Sequence, residues 1–133
     1  MMKESKAAIK VAGYKELEVY KLSYKMALEI FEETKRFPKE EKFSLTDQIR
    51  RSSRSVSANI GESWGKRMYR SHFVSKLSDS YMEAYETQVW LDFSKAHDYI
   101  TDERHIYFMD NYDHVCRMLY SMMRNPGKFL IKL

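Results

Sequence analysis

The two prolines and four glycines of this 133-residue chain fall at or near the ends of four long segments in which apolar residues recur every three or four positions. This spacing is typical of one face of an α-helix. It predicts helices over about residues 15–36, 45–62, 71–96 and 102–124. Short connections favour antiparallel neighbours. We therefore expect a single all-α domain over residues 1–133, built as an antiparallel up-down-up-down four-helix bundle.

The same spacing predicts which residues of the first, second and fourth helices are buried. The first stripe is widened by Leu28 and contains Leu17, Tyr20, Tyr24, Ala27, Phe31 and Thr34. The second contains Leu45, Ile49, Ser52 or Ser53, Val56 and Ile60. The fourth contains Ile106, Met109, Asp113, Cys116, Tyr120 and Met123, and is widened by Tyr112, Val115 and Leu119. The small residues of the second helix should let a neighbouring helix approach closely.

Helix starts are indicated by short polar residues. Ser44 and Asp47 resemble a capping arrangement at the start of the second helix, with an acid at the positive end of the helix dipole. Thr101 is the expected N-cap of the fourth helix. The apolar tail KFLIKL follows this helix, and we expect it to dock on the bundle or on a partner.

The third helix differs from the others because it has two apolar stripes. One consists of Phe73, Leu77, Ala84, Gln88 and Leu91. The other is displaced by roughly 120° at 100° per residue and consists of Met82, Tyr85, Val89 and Phe93. A wide core-facing surface in a monomer is one interpretation. Tyr and Met are enriched at interfaces, so we expect this second stripe to be an oligomer interface.

Charge is segregated along the chain. The segment from residue 50 to 76 has a net charge of +6, because it contains one acid, Glu62, and seven bases: Arg50, Arg51, Arg54, Lys66, Arg67, Arg70 and Lys76. The segment from residue 79 to 113 contains nine acids and two bases, a net charge of −7. The end of the second helix and the turn after it should therefore form a basic surface.

This basic surface has two interpretations. Lys and Arg neutralise phosphates, and aromatic rings stack on unpaired bases. The predicted nucleic-acid-binding residues are therefore Arg50, Arg54, Trp64, Lys66, Arg67, Tyr69 and Arg70. Alternatively, the arginines pair with Glu83 and Glu86 of the third helix, or are merely solvated. Arg51 lies near the small-residue stripe, so we expect it to pair inward with Glu83 or Glu86.

No pattern indicates an enzyme, a metal or a cofactor. The four histidines lack the Glu-x-x-His elements of di-iron bundles. Cys116 lies on an apolar face, where a thiol usually packs as a small hydrophobe. The serines lack a G-x-S-x-G setting, and nucleotide-binding glycine loops are absent from the sequence. The N-terminal residues contain no signal-peptide core and no segment is apolar enough to span a membrane, so we expect a cytoplasmic protein.

Several short sequence motifs resemble those of one known family. They include Leu17-Glu18-Val19-Tyr20, Phe37-Pro38, Leu45-Thr46 after Phe43, Gln48-Ile49-Arg50-Arg51, Asn59-Ile60 after Ser55, and Glu86-Thr87-Gln88. In this combination, over about residues 14–100, the chain is similar to the four-helix bundle proteins encoded in intervening sequences of bacterial 23S rRNA genes. It departs from them near the end of the second helix, where Gly61-Glu62-Ser63 replaces the usual Ala-Glu-Gly.

The resemblance implies a ring-shaped homopentamer of up-down bundles. It also implies a distant relation to the accessory variability protein of diversity-generating retroelements, a basic pentameric barrel that binds nucleic acid and a reverse transcriptase. Most members of the family have no known function. We therefore expect a non-enzymatic oligomer that binds structured RNA, rRNA among them, or DNA. The alternative is a protein-interaction or structural scaffold module without a nucleic-acid role.

Overall fold

A computed structural model describes residues 12–132 of the chain, which form a four-helix bundle. Helix α1 spans Glu18–Thr34, α2 spans Leu45–Gly65, α3 spans Arg70–Ala96 and α4 spans Asp102–Arg124. Three single 3-10 turns complete the described residues, at Tyr14–Glu16, Lys39–Glu41 and Pro126–Lys128, and this part of the chain contains no strand. The all-α prediction is confirmed. Most of the N-terminal segment, in which we expected no signal peptide, lies outside the described residues.

Small hydroxyl residues line the contact between α2 and α3. Those that are buried and bond across this contact are Ser52, Ser80 and Thr87. The Ser80 hydroxyl donates to the Val56 carbonyl oxygen across the two helices at 2.8 Å. Thr87 donates to the Ser52 hydroxyl, also at 2.8 Å. Hydrogen bonds of this length need the two backbones close together, which large side chains at these positions would prevent. The expected close approach of a neighbouring helix to α2 is therefore confirmed.

The predicted core of α2 is also confirmed. Leu45, Ile49, Val56 and Ile60 are all buried, together with both Ser52 and Ser53. On α3 the first predicted stripe faces the core, because Phe73, Leu77, Ala84 and Leu91 are at most 1% exposed.

The predicted stripes of α1 and α4 are confirmed only in part, at the buried residues Leu17, Ala27, Thr34, Tyr112, Val115, Cys116 and Leu119. The buried face of α1 is formed by Val19, Met26, Ala27 and Ile30, whereas Tyr24 is 50% exposed. In α4 the core residues are Phe108, Tyr112, Val115, Cys116, Leu119 and Met122. Ile106 and Tyr120, which we expected to be buried, are 58% and 50% exposed. Both helices have apolar residues on two faces, so periodicity alone could not identify the face that packs inside the bundle.

The helix ends follow the predicted signals only in part. The Thr101 hydroxyl caps α4 by accepting a hydrogen bond from the Arg104 N–H at 3.1 Å, as expected. Ser44 does not cap α2, because its hydroxyl donates to the Glu41 carboxylate instead. Helix α2 continues to Gly65, three residues beyond its predicted end, and α1 begins at Glu18 after a separate 3-10 turn.

The close contact of α2 and α3 predicts how Ser80 tolerates substitution. Ser80→Leu must force the helices apart and should lower the free energy of unfolding by about 3 kcal/mol. Ser80→Ala removes one hydrogen bond without adding volume and should cost about 1 kcal/mol. Urea unfolding followed by circular dichroism measures both values. Equal losses for the two variants would contradict the close approach of these helices.

Candidate nucleic-acid interface

The predicted cations form two separate clusters along α2 and the turn that follows it. The helix cluster consists of Arg50, Arg51 and Arg54, within one and a half turns of α2. The turn cluster consists of Lys66 and Arg70, which flank the connection between α2 and α3. Twelve residues separate Arg54 from Lys66, about 18 Å at 1.5 Å per residue. A single phosphate cannot contact both clusters, whereas an extended nucleic acid spans this distance.

Most of these cations have no carboxylate partner. Within residues 12–132, salt bridges from the basic segment involve only Lys76, whose Nζ lies 2.6 Å from Glu62 and 3.7 Å from Asp79. The expected pairing of arginines with Glu83 and Glu86 is therefore wrong. Glu83 is half-buried, and that burial raises the pKa of its carboxyl. Glu86 instead accepts a hydrogen bond from the Trp90 indole N–H at 3.1 Å.

Arg51 is exposed and does not pair inward as expected. It lies five residues before the buried Val56, which turns its side chain about 140° away from that residue around the helix axis. The small residues beside Arg51 in the sequence therefore belong to a different face of α2. Arg51 joins the exposed cations of the helix cluster.

The aromatic ring of Trp64 stacks against Arg67. The Arg67 guanidinium lies over it at 3.8 Å from the ring centroid, and Arg67 Nε donates to the Trp64 carbonyl oxygen at 2.8 Å. Both side chains are half-buried, and burial lowers the pKa of Arg67. That Trp64 and Arg67 contact nucleic acid directly stays a prediction; in the structure the two side chains brace the turn.

The C-terminal tail completes this brace. The Ile131 N–H donates to the Arg67 carbonyl oxygen at 3.2 Å, and Arg67 Nη1 donates to the Phe129 carbonyl oxygen at 3.5 Å. The Phe129 ring packs 6.1 Å from the Phe73 ring. Of the two expectations for the tail, docking on the bundle is the one that the structure shows. Sequence reasoning did not connect the tail to the turn cluster, because they are more than 60 residues apart.

Tyr69, Lys66 and Arg70 remain exposed on the turn. Tyr69 is 59% exposed, and its ring lies edge-on to the His72 ring at 5.3 Å. In the helix cluster, the guanidinium groups of Arg50 and Arg54 lie over the Phe31 ring, 4.3 and 5.3 Å from its centroid. The predicted nucleic-acid-binding residues therefore fall into three groups. Lys66, Tyr69 and Arg70 are exposed on the turn, Arg50 and Arg54 stack on Phe31, and Trp64 and Arg67 form the brace.

Two apolar surfaces face outward from the bundle. The first is the predicted interface stripe of α3, where Met82, Tyr85, Val89 and Phe93 are between 48% and 55% exposed. The second is a groove of about 780 Å³ between α1 and α2, whose lining includes Tyr20, Tyr24, Leu28 and Phe31. We expected these groove residues in the core. Their helical spacing was predicted, but the face of α1 on which they lie borders the groove and not the core.

Catalytic and metal-binding arrangements are not found in the described residues. No group of three or more His, Cys, Asp and Glu side chains could hold a metal ion there. His105 Nε2 contacts Asp92 at 2.8 Å as an isolated pair. Burial raises the pKa of the Cys116 thiol to about 11. None of the helices between residues 12 and 132 is long and apolar enough to cross a membrane.

The fold and these surfaces define a class: a small α-helical bundle with uncompensated cations and two outward apolar faces. A model of the 23S rRNA-intervening sequence protein family matches residues 15–121, and the chain belongs to this family. The chain is also similar to a crystal structure from Bacteroides thetaiotaomicron, described as a protein of unknown function from the S23 ribosomal protein family. The two are 30% identical with a TM-score of 0.71, over 80% of this chain and 95% of that chain. Comparison with curated proteins gives no match.

The raised pKa of Cys116 predicts low thiol reactivity. With a pKa of about 11, roughly one Cys116 thiol in a thousand is ionised at pH 8. In the unfolded chain the thiol pKa is about 8.5, so roughly one in four is ionised. Iodoacetamide should therefore label the folded protein at least about a hundredfold more slowly than the protein in urea. The labelling rate should increase with pH up to about 11. Rapid labelling of the folded protein at pH 8 would show that the thiol is not buried as described.

Proposed function

We propose that this protein is a non-enzymatic, oligomeric helical bundle that binds structured RNA or DNA through its exposed cations. The observation behind this proposal is that six cations, Arg50 to Arg70, lack a carboxylate within 4 Å in the described part of the chain. Uncompensated cations on one surface attract phosphates and displace their counterions. The family name associates its members with 23S rRNA genes, which is consistent with rRNA as one ligand.

The direct phosphate contacts in this proposal come from exposed side chains. Lys66 and Arg70 contact the backbone from the turn, and Tyr69 between them stacks on an unpaired base. Arg51 contacts the backbone about 22 Å away along α2, whereas Arg54 lines the groove between α1 and α2. Arg67 and Trp64 act indirectly, by holding the turn in place.

We also propose that the bundle is antiparallel and assembles as a ring. Two hydrogen bonds between α1 and α2 support the antiparallel arrangement. Ser23, early in α1, bonds Ser57, late in α2, whereas Thr34, at the end of α1, bonds Arg50, nearer the start of α2. The two outward apolar faces lie on different helices, so a contact between them is heterologous. Repeated heterologous contacts form a ring when the rotation between copies closes, and an open filament when it does not. A homopentamer follows from the family resemblance.

The proposed contact seats the α3 stripe of one copy in the α1–α2 groove of the next. The stripe from Met82 to Phe93 spans twelve residues, about 17 Å from end to end. The groove residues from Tyr20 to Phe31 span the same number of residues. Matching length and apolar character favour a second copy as the occupant of this groove. In a ring, five copies of each basic cluster would bind one nucleic acid with increased avidity.

A scaffold or protein-interaction role is the second candidate function. The outward apolar faces favour it, because such faces mark protein contacts whether or not nucleic acid binds. It predicts that charge reversal at Arg67 and Arg70 disrupts assembly or partner capture and leaves nucleic-acid retention unchanged.

Filter binding tests the nucleic-acid role. The double variant Lys66→Gln/Arg70→Gln should lower the log–log salt slope on duplex DNA by about 1.8, since each phosphate contact contributes about 0.9. Lys21→Gln/Lys25→Gln removes the same charge from the exposed surface of α1 and should leave the slope unchanged. The proposal fails if assembled protein retains neither structured RNA nor duplex DNA at low salt, or if the control lowers the slope equally.

Light scattering after size exclusion tests the assembly. A pentamer has a mass of 80 kDa, five times the 16.0 kDa of the chain. Val89→Glu places a charge in the centre of the proposed contact and should reduce the mass to that of a monomer, because burying an unpaired charge costs several kcal/mol. Gln48→Glu adds the same charge on the exposed surface of α2 and should remain assembled. A wild-type monomer, or an assembled Val89→Glu variant, would exclude this interface.

A further inference from the structure

A concave recess lies where α1 ends and α2 begins. Its volume is about 360 Å³, within the size range of small-molecule sites. Four of its nine lining residues are cations, namely Lys35, Lys39, Lys42 and Arg50, and none is a carboxylate. It is distinct from the turn cluster, since Arg50 lies sixteen residues before Lys66, about 24 Å along α2.

The recess also contains a buried hydroxyl without a partner. Thr46 lines the recess and is 7% exposed. Its Oγ1 makes no hydrogen bond within the part of the chain that the structure describes. Buried polar atoms are nearly always hydrogen-bonded, so an unpartnered one needs an explanation. A ligand oxygen in the recess would provide the acceptor that this hydroxyl lacks, after a rotation about χ1 that turns the shielded oxygen toward the recess.

Thr46 belongs to the first turn of α2, the positive end of the helix dipole. The N-cap residue Ser44 gives no side-chain hydrogen bond to this turn. The Leu45 N–H donates to the Glu41 carboxylate, which leaves the N–H groups of Thr46 and Asp47 without a protein acceptor among the described residues. The Asp47 carboxylate lies in the same turn but does not line the recess. Helix starts with open N–H groups favour oxyanions.

Arg50 is held in a fixed orientation at the side of the recess. Its Nε donates to Thr34 Oγ1 at 2.8 Å, and its guanidinium lies over the Phe31 ring at 4.3 Å. An arginine fork fixed in this way loses little rotamer freedom on binding an anion. Lys35 is partly neutralised, because its Nζ lies 3.1 Å from Glu32. Lys39 and Lys42 are exposed and have no carboxylate within 4 Å in residues 12–132.

We propose that this recess is a binding site for a phosphoryl group, either inorganic phosphate or the phosphate of a mononucleotide. A tetrahedral dianion offers several acceptor oxygens to donors that converge from different directions. The donors here are the Arg50 guanidinium, the ammonium groups of Lys39 and Lys42, the Thr46 hydroxyl and the first N–H groups of α2. This site shares Arg50 with the helix cluster, but it accommodates one phosphoryl group and lies about 24 Å along α2 from the turn cluster.

Isothermal titration with inorganic phosphate, in chloride buffer at constant ionic strength, tests this site on the full chain. Lys39→Gln/Lys42→Gln should weaken phosphate binding by about tenfold or more, because two charge-assisted contacts are lost. Thr46→Val removes only the unpartnered hydroxyl and keeps the shape of the side chain. It should also weaken binding, without lowering the melting temperature of the unliganded protein.

The control variant is Lys66→Gln/Arg70→Gln, which removes the same charge from the turn cluster. It should bind phosphate as the wild type does, although its log–log salt slope on duplex DNA is lower by about 1.8. The proposal is overturned if wild-type protein does not bind phosphate, if Lys39→Gln/Lys42→Gln binds it unchanged, or if the control is weakened equally. A nucleoside 5′-monophosphate that binds more tightly than phosphate, while the nucleoside does not bind, identifies a nucleotide as the source. Equal affinities identify the free ion. Because the two sites use different variants, failure of one proposal does not imply failure of the other.

Discussion

The close packing of α2 against α3 is the contact on which the rest of the structure depends. It is maintained by small hydroxyl side chains, because the Ser80–Val56 and Thr87–Ser52 hydrogen bonds require backbones at short distance. Satisfying buried hydroxyls in this way avoids the cost of unpaired polar atoms. The same two helices border the turn with Lys66 and Arg70, and α2 also holds Arg50 and Arg54. A well-packed pair of helices therefore supports both basic clusters, while α1 and α4 complete the core on its other side.

Periodicity predicted the number and extent of the helices because few residues interrupt them, and the end of α4 at Arg124 agrees with its Asn-Pro-Gly stop. It did not predict which face of α1 is buried. Tyr24 and Leu28 continue an apolar stripe as regular as the one formed by Met26 and Ile30, yet they are exposed. An apolar stripe indicates that a helix face avoids water. It does not indicate whether the surface that covers this face belongs to the same chain or to another. The outward stripe of α3 was recognised only because that helix has a complete second stripe for the core.

The basic surface was predictable as a concentration of charge, but the role of each cation was not. Arg51 was misplaced because its neighbours in sequence are buried, although its own direction around the helix is outward. Arg67 stacks on Trp64 and contacts a tail that is distant in sequence, and no local pattern indicates such a contact. The recess beside Thr46 was missed for a similar reason, since Lys39, Lys42 and Arg50 come together only when the connection between α1 and α2 folds back.

The contact between Ile131 and Arg67 has a consequence for the order of events during synthesis. Residues 129–131 are translated after all four helices, so the bundle can begin to form while the turn between α2 and α3 still lacks its support. Translation proceeds from the N-terminus and domains fold as their residues emerge. The turn that presents Lys66 and Arg70 therefore reaches its final geometry only when the tail has left the ribosome. If the turn binds RNA as proposed, that contact would follow the near completion of the bundle behind it.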